Sequence, residues 1–200
     1  MTATSRRSAR TLVAGAVSLA ILSGMILLHA WPLWFGQEMV LPVVPRDPRD
    51  PFYGEYVRLD TPAARLSIGG PVAGGTAVVV APAGTWWSDL GDDAVAQSRA
   101  LRGKVVFVQF EARGGEHQAV SISDRPVAGA LNLRGRVRWF HAETRRLNVD
   151  YGLSRYYVQE GTAKPIEDAL TQQKQVQMQV AVTSSGRARI RRVIVDGVER

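Results

Sequence analysis

One long apolar segment opens the hydrophobic pattern of the chain. No charged residue occurs from Thr11 to Gln37, and a helix needs about 20 apolar residues to cross the hydrocarbon core of a bilayer. The pattern therefore predicts one transmembrane helix over residues 11–35. The alternative is a cleaved signal peptide, whose apolar region usually has about 7–15 residues followed by small residues.

The flanks of this segment predict its orientation. Arg6, Arg7 and Arg10 precede it, and Trp31 and Trp34 lie at its end. Positively charged flanks stay on the cytoplasmic side, and tryptophans favour the membrane interface. We therefore expect residues 1–10 in the cytoplasm, bilayer contact through residues 11–35, and the remainder of the chain outside the cell membrane.

Beyond the apolar segment, alternating apolar and polar side chains predict strands. Residues 76–82 and 104–112 are short β-branched runs, and the clearest period of two covers residues 175–182. A hairpin pattern lies between residues 112 and 175, and in its first strand we expect the side chains of Val137 and Trp139 on one face. The alternation continues after the hairpin turn at Leu147, Val149 and Tyr151.

One short helix is predicted near the C-terminal strands. Pro165 suits the first helical position, Glu167 lies in the first turn near the positive end of the helix dipole, and the helix should end near Gln173. A weaker helical pattern covers residues 92–100. The expected fold of residues 53–200 is thus mainly β with one short helix, either an antiparallel sandwich or a partly closed barrel. The apolar stripe of the predicted helix is Ile166, Ala169 and Leu170.

Prolines recur between the apolar segment and the domain. Proline fixes φ and biases the preceding residue toward extended backbone, so residues 36–52 are predicted to form a semi-rigid, proline-rich neck. A cation site on Asp47, Asp50 and Glu55 is the alternative. We disfavour it because the prolines hold these carboxylates apart, whereas calcium takes about 6–8 oxygen ligands.

Composition excludes several classes of function. The chain has no cysteine, which rules out disulfides, thiolate metal sites and a cysteine nucleophile. Its net charge of +7 includes the N-terminal arginines, so the domain is only mildly basic and we expect no nucleic-acid partner. The three histidines lack the spacing of a helical metal pair, and we expect neither a metal nor a cofactor.

The segment GEYVRLDT, residues 54–61, resembles the motif of the bacterial GDYXXLXY family. Glu55 replaces the family's Asp, and Thr61 replaces its final Tyr. Residues 133–137 and the segment YGLSRYYVQEG, residues 151–161, resemble the second half of the family pattern. The positions assigned to the pattern are Gly54, Glu55, Tyr56, Leu59, Tyr151, Gly152, Arg155, Tyr156, Glu160, Gly161 and Glu167.

The resemblance implies a location and a layout. Family members are bacterial membrane-anchored proteins without an assigned activity, so we expect a single-pass protein of the bacterial inner membrane with an extracytoplasmic domain. We expect a non-enzymatic interaction module that binds another envelope membrane protein. A domain that senses a small ligand is the alternative. A membrane-surface hydrolase is disfavoured, because residues 36–66 contain neither the serine nor the lysine of a Ser–Lys catalytic pair.

The second matched segment supplies a candidate ligand face. Strand alternation would place Tyr151, Arg155 and Tyr157 on one face, and Tyr156 on the other. The alternative is half-buried core tyrosines with satisfied hydroxyl groups. For Glu55 we expect an ion pair with a buried arginine such as Arg155. We predict no catalytic residue, because no nucleophile or second acid accompanies this carboxylate.

Overall fold

The computed structural model describes residues 3–44, 56–69, 77–79, 94–157, 163–172 and 174–199. Within these ranges, one long and two short helices accompany twelve strands. The helices are α1 (Ala3–Phe35), α2 (Ala94–Leu101) and α3 (Ala163–Thr171), and a 3-10 turn covers Pro62–Ala64. The strands are β1 (Gln37–Pro42), β2 (Tyr56–Arg58), β3 (Arg65–Ile68), β4 (Ala77–Val79), β5 (Val105–Arg113), β6 (Glu116–Ser123), β7 (Leu131–His141), β8 (Arg146–Asp150), β9 (Arg155–Tyr157), β10 (Val176–Val182), β11 (Ala188–Val195) and β12 (Val198–Glu199).

The described strands form three sheets. Six strands pair in the order β4-β3-β8-β7-β5-β6, four in the order β1-β10-β11-β12, and β2 pairs with β9. The mainly β class is confirmed. The expectation of one short helix is wrong, because the weaker pattern also folds, as α2. The pairing is antiparallel throughout the described ladders except between β3 and β4, which run parallel.

The six-stranded sheet is curled. Its two edge strands, β4 and β6, contact each other, and β1 of the four-stranded sheet also lies against β6. The backbone N–H of Val40 donates to Nδ1 of His117 at 3.1 Å across that second junction. The architecture is a half-barrel continued by the four-stranded sheet, so of the two expected forms the partly closed barrel is the nearer.

One hydrophobic core joins both larger sheets and α3. The predicted helical stripe of Ile166, Ala169 and Leu170 is buried. In β10 the predicted apolar positions are buried as well, but Gln179 and Ala181 between them are also buried. Strand β10 contacts α1, α3 and β7, and its register shifts between Gln179 and Val180. Burial is therefore not confined to one face of this strand.

The predicted hairpin forms as β7 and β8, but one of its face assignments is wrong. Val137 is 1% exposed, whereas Trp139 is 40% exposed. The register between β7 and β8 shifts between these two residues. Such a bulge inserts one residue and reverses the face of the side chains that follow. Phe140 is buried in place of Trp139.

Helix α1 leads directly into the four-stranded sheet. It ends at Phe35, and β1 begins at Gln37. Strand β1 pairs with β10 along its whole length and buries Met39 and Leu41 completely. The predicted neck over residues 36–52 is therefore corrected at Gln37–Pro42, where alternating apolar side chains enter the core and proline occupies only the strand end. Residues 45–52 lie outside the described part of the chain.

An arginine fixes the end of α1 on the domain. Arg191 donates from Nη2 to the carbonyl oxygen of Leu33 and from Nη1 to the Glu38 carboxylate. Leu33 lies in the last turn of α1, where carbonyl groups lack helical partners and a positive charge is favourable. One side chain thus joins the helix end, β1 and β11.

Apolar side chains cover the described length of α1. Leu12, Leu19, Ile26 and Leu28 are each more than half exposed. Among the residues that the structure describes, no helix is long and apolar enough to cross a membrane. The transmembrane assignment of residues 11–35 stays a prediction.

Gly135 of β7 lies against the side chains of Val149 in β8 and of Tyr151. A Cβ atom added at Gly135 would lie 2.2 Å from Cγ1 of Val149 and 2.8 Å from Cδ1 of Tyr151. Val149 is 1% exposed, so it has little room to move. Glycine is therefore needed at position 135, because a larger side chain would collide with Val149 and Tyr151.

We expect Gly135→Ala to lower the free energy of unfolding by about 1–3 kcal/mol, the usual cost of overpacking a core. Thermal or urea unfolding of the full-length chain in detergent measures the change. Gly24→Ala in α1 is the control, because nothing lies within 4 Å of the added Cβ there and alanine favours a helix interior over glycine, so it should not lower the free energy of unfolding. Equal stability of wild type and Gly135→Ala would contradict this packing argument.

Candidate functional site

Two adjoining cavities lie beside the β2–β9 ribbon. The first has a volume of about 470 Å³ and extends from the 3-10 turn to the end of β8. The second has a volume of about 590 Å³ and lies between β9 and β11. We call the combined surface the arginine cleft. Both cavities are lined by Arg138, Asp150, Leu153, Ser154 and Arg155.

The β2–β9 ribbon brings the two family-like segments together. Its antiparallel register pairs Tyr56 with Tyr157, Val57 with Tyr156, and Arg58 with Arg155. Leu59 extends the contact, because its backbone N–H donates to the carbonyl oxygen of Ser154 at 3.1 Å. Val57 and Leu59 are buried, and Tyr156 packs against the core. The pattern therefore has a structural basis at these positions.

Asp150 organises the middle of the arginine cleft. Its Oδ2 accepts hydrogen bonds from Nε and Nη2 of Arg138 at 3.1 and 2.6 Å, and its Oδ1 accepts one from the Gly152 N–H at 2.9 Å. Burial alone would raise the pKa of the Asp150 carboxyl. The Gly152 hydrogen bond, Arg138 and the charge of Arg155 outweigh burial and hold this pKa below its ordinary value. Asp150 is thus a carboxylate that orients Arg138.

Gly152 turns the chain between β8 and β9. Its φ is +74°, a backbone conformation that glycine adopts without steric cost. Because of this turn, the strand alternation expected from Tyr151 to Tyr157 is interrupted. Tyr151 lines the first cavity, Tyr157 the second, and Arg155 both. The ligand face formed by these three residues stays a prediction, with Arg155 as the member common to both cavities.

Tyr151 is held by the fold. Its hydroxyl donates to the carbonyl oxygen of Ala63 at 2.9 Å, and its ring meets Phe110 edge to face with centroids 6.5 Å apart. Burial raises the pKa of the Tyr151 phenol above its ordinary value. These contacts match the alternative of a core tyrosine with a satisfied hydroxyl. Tyr157, in contrast, is 69% exposed.

A second ion pair forms the other wall of the first cavity. The buried Asp60 carboxylate contacts Nη2 of Arg65 and accepts the Thr61 N–H at 3.0 Å. The hydroxyl of Thr61 accepts the Ala63 N–H at 3.4 Å and caps the 3-10 turn. This pair is not among the sequence-based expectations, although an Asp-Thr-Pro sequence is a recognisable start of a helical turn. Thr61, which departs from the family's Tyr, therefore has a local capping role.

Several predicted positions lie outside the described residues. These include Gly54, Glu55, Glu160 and Gly161, and also the side chain of Glu167 within α3. The predicted Glu55–Arg155 ion pair is among them. The description of Arg155 as buried is wrong, because its side chain is exposed at the start of β9. Within the described residues, the ribbon joins the two segments through backbone pairing.

Anion binding is the chemistry that the arginine cleft offers. Arg65, Arg138, Arg155 and Arg189 line it, against the carboxylates of Asp60 and Asp150. Guanidinium groups bind carboxylates and phosphates through paired hydrogen bonds. Among the described residues, no group of three or more His, Asp or Glu could hold a metal ion. The expectations of no metal and no cofactor stay predictions.

We expect Asp150→Asn to lower the free energy of unfolding at neutral pH by about 1 kcal/mol, as for the better-placed exposed ion pairs. The folded-state pKa of Asp150 is lowered, so its stabilisation is present above the unfolded-state pKa of about 3.9. That contribution is lost as the pH falls through the folded-state pKa.

Urea unfolding of wild type and Asp150→Asn measures this difference at neutral and at strongly acidic pH. The difference should shrink in acid. Glu111→Gln is the control, because Glu111 and Arg113 form an ion pair in which both side chains are more than half exposed. A stability difference for Asp150→Asn that is the same at both pH values would rule out this role of the carboxylate.

Comparison with known proteins adds the family. A family model described as GDYXXLXY protein matches residues 18–193. No curated protein and no solved structure matches the chain. The match spans most of the described domain, including both segments that pair in the β2–β9 ribbon. The chain therefore belongs to the GDYXXLXY family.

Proposed function

We propose that the protein is a single-pass, membrane-anchored binding module on the extracytoplasmic side of the bacterial inner membrane. The charge-free sequence from Thr11 to Gln37 supports the anchor, since its whole length exceeds the ~20 residues of a membrane span. That segment includes Thr11, His29 and Pro32, whose side chains lie outside the described part of α1. The exposed apolar side chains along α1 give further support.

The arginine cleft supports binding as the activity of the domain. Arg138, Arg155 and Arg189 line the second cavity. Exposed aromatic side chains flank them, with Tyr157 bordering the second cavity and Trp139 the first. Arginine and aromatic residues are enriched where protein interfaces gain most of their binding energy. This combination is the observation on which the proposed function depends.

The partner that we propose is an acidic segment of another envelope membrane protein. Arg65 and Arg138 each already contact one carboxylate of the domain. The side chain of Arg189 has no hydrogen bond or ion pair with any residue that the structure describes. Carboxylates of a partner would complement the excess positive charge of the cleft and speed association.

A small anionic ligand is the second candidate. Cavities of about 470 and 590 Å³ fall within the range of about 300–1,000 Å³ usual for small-molecule sites. A carboxylate- or phosphate-bearing molecule would meet the same arginines. In that case the domain would sense a solute of the periplasm. A membrane-surface hydrolase stays the disfavoured alternative.

Site-specific photocrosslinking tests the partner. A photoreactive phenylalanine derivative replaces Tyr157 in the full-length chain, which is then irradiated in its native membranes. We expect one crosslinked envelope protein, whose yield falls severalfold when Arg155→Gln is added. Arg113→Gln is the matched control, because Arg113 is exposed and lies outside the cleft, and it should leave the yield unchanged.

A photoreactive residue at Val198 controls for random collisions. Val198 is 56% exposed and does not line either cavity. The same product from both positions, or a product that Arg155→Gln leaves unchanged, would contradict the proposed site. If no protein is captured and inorganic phosphate or citrate raises the Tm of wild type but not of Arg155→Gln, the small-ligand candidate replaces the protein partner.

A further inference from the structure

The turn between β10 and β11 lies at the same end of the four-stranded sheet as the end of α1. Gln37, the first residue of β1, pairs with Val182, and Val182 pairs with Ala188. Residues 183–187 connect those last two positions. Helix α1 also contacts both β10 and β11. This end of the sheet is therefore the part of the domain next to the helix end.

Exposed arginines surround this end. We call the set of Arg134, Arg187, Arg189 and Arg191 the basic rim, and all four residues are exposed. The backbone N–H of Arg134 donates to the carbonyl oxygen of Gly186 at 2.8 Å, which holds β7 against the turn. Gly186 has a φ of +77°, and a Cβ there would lie 3.0 Å from the Arg134 backbone nitrogen. A glycine is thus required for this approach.

Little negative charge balances the basic rim. Glu38 binds Arg191. The side chains of Arg134, Arg187 and Arg189 have no hydrogen bond or ion pair with any residue in the described part of the chain. Positive charges grouped on one side of a protein create a field that attracts anionic surfaces.

Aromatic residues mark the level of the membrane interface. Trp31, Trp34 and Phe35 in the last turns of α1 are 55%, 64% and 66% exposed. Tryptophan favours the headgroup level of a bilayer. Gly36 alone separates α1 from β1, so the domain has no spacer that would carry the basic rim away from this level.

We propose that the basic rim binds anionic phospholipid headgroups of the leaflet in which α1 ends, and so holds the domain against the bilayer. This inference rests on the proposed membrane anchor. The phosphates of the headgroups accept the paired hydrogen bonds that guanidinium groups donate. Arg189 belongs to the basic rim and also lines the second cavity of the arginine cleft, so the cleft is held close to the membrane and favours partners that are themselves in the membrane.

The absence of cysteine in the chain allows one label to report this contact. Ser184→Cys places a nitroxide label on the exposed turn, and the full-length chain is reconstituted into nanodiscs. One set of discs contains phosphatidylcholine, and the other also contains phosphatidylglycerol. Electron paramagnetic resonance measures label mobility and collisions with membrane-soluble oxygen.

We expect the label to be less mobile and to collide more with oxygen in the anionic discs. Arg134→Gln with Arg187→Gln should abolish the difference between the two disc types, and high salt should reduce it by screening. Arg113→Gln with Arg125→Gln removes the same amount of charge from exposed arginines elsewhere and should preserve the difference.

Equal label behaviour in both disc types, or loss of the difference in the control pair as well, would overturn the headgroup contact. Retention of the chain in neutral discs after alkaline washing reports separately on the anchor. If the chain stays in the discs but the behaviour of the label does not depend on the lipid, only the proposed headgroup contact of the basic rim is overturned. A chain that is washed out of the discs overturns the anchor and the rim together.

Discussion

The direct junction of α1 with β1 through Gly36 is the constraint on which the remaining architecture depends. Strand β1 pairs with β10 over its whole length and buries Met39 and Leu41, so α1 ends one residue before a strand that belongs to the core. Arg191 strengthens this coupling by binding the last turn of α1 and Glu38 at once. The proposed headgroup contact and the proposed position of the cleft near the membrane both follow from it.

The arginine cleft depends on close packing elsewhere in the half-barrel. Gly135 leaves space for the side chains of Val149 and Tyr151, and the Tyr151 hydroxyl then fixes the 3-10 turn through Ala63. After β8, the chain turns at Gly152, whose N–H donates to the Asp150 carboxylate that also binds Arg138. Strand β9 then begins at Arg155. Gly135, Gly152 and Tyr151 thus act as supports, whereas the exposed arginines carry the proposed binding chemistry.

Periodicity predicted the elements whose burial is simple. The stripe of Ile166, Ala169 and Leu170 and the apolar positions of β10 were recognisable because one side chain period applies throughout each element. Periodicity failed at Trp139, where a bulge reverses the face of the strand. The proline content was misleading at Gln37–Pro42, where it suggested a neck but the chain pairs with β10 as a strand. The cleft was not predictable in the same way. Strand register and turns bring Arg138 to Asp150 and place Asp60 on the same surface. The local pattern of apolar and polar residues does not encode these long-range contacts.

Hydrogen exchange of the segment that follows the helix tests the central claim most directly. The full-length chain is embedded in nanodiscs, and mass spectrometry follows deuterium uptake by peptides covering residues 37–42 and residues 176–182. A paired strand continuous with α1 predicts that the backbone amides of residues 37–42 that donate to β10 are protected from exchange, as are the amides of β10. Complete exchange of residues 37–42 within seconds, with residues 176–182 still protected, would show a flexible neck and contradict the account.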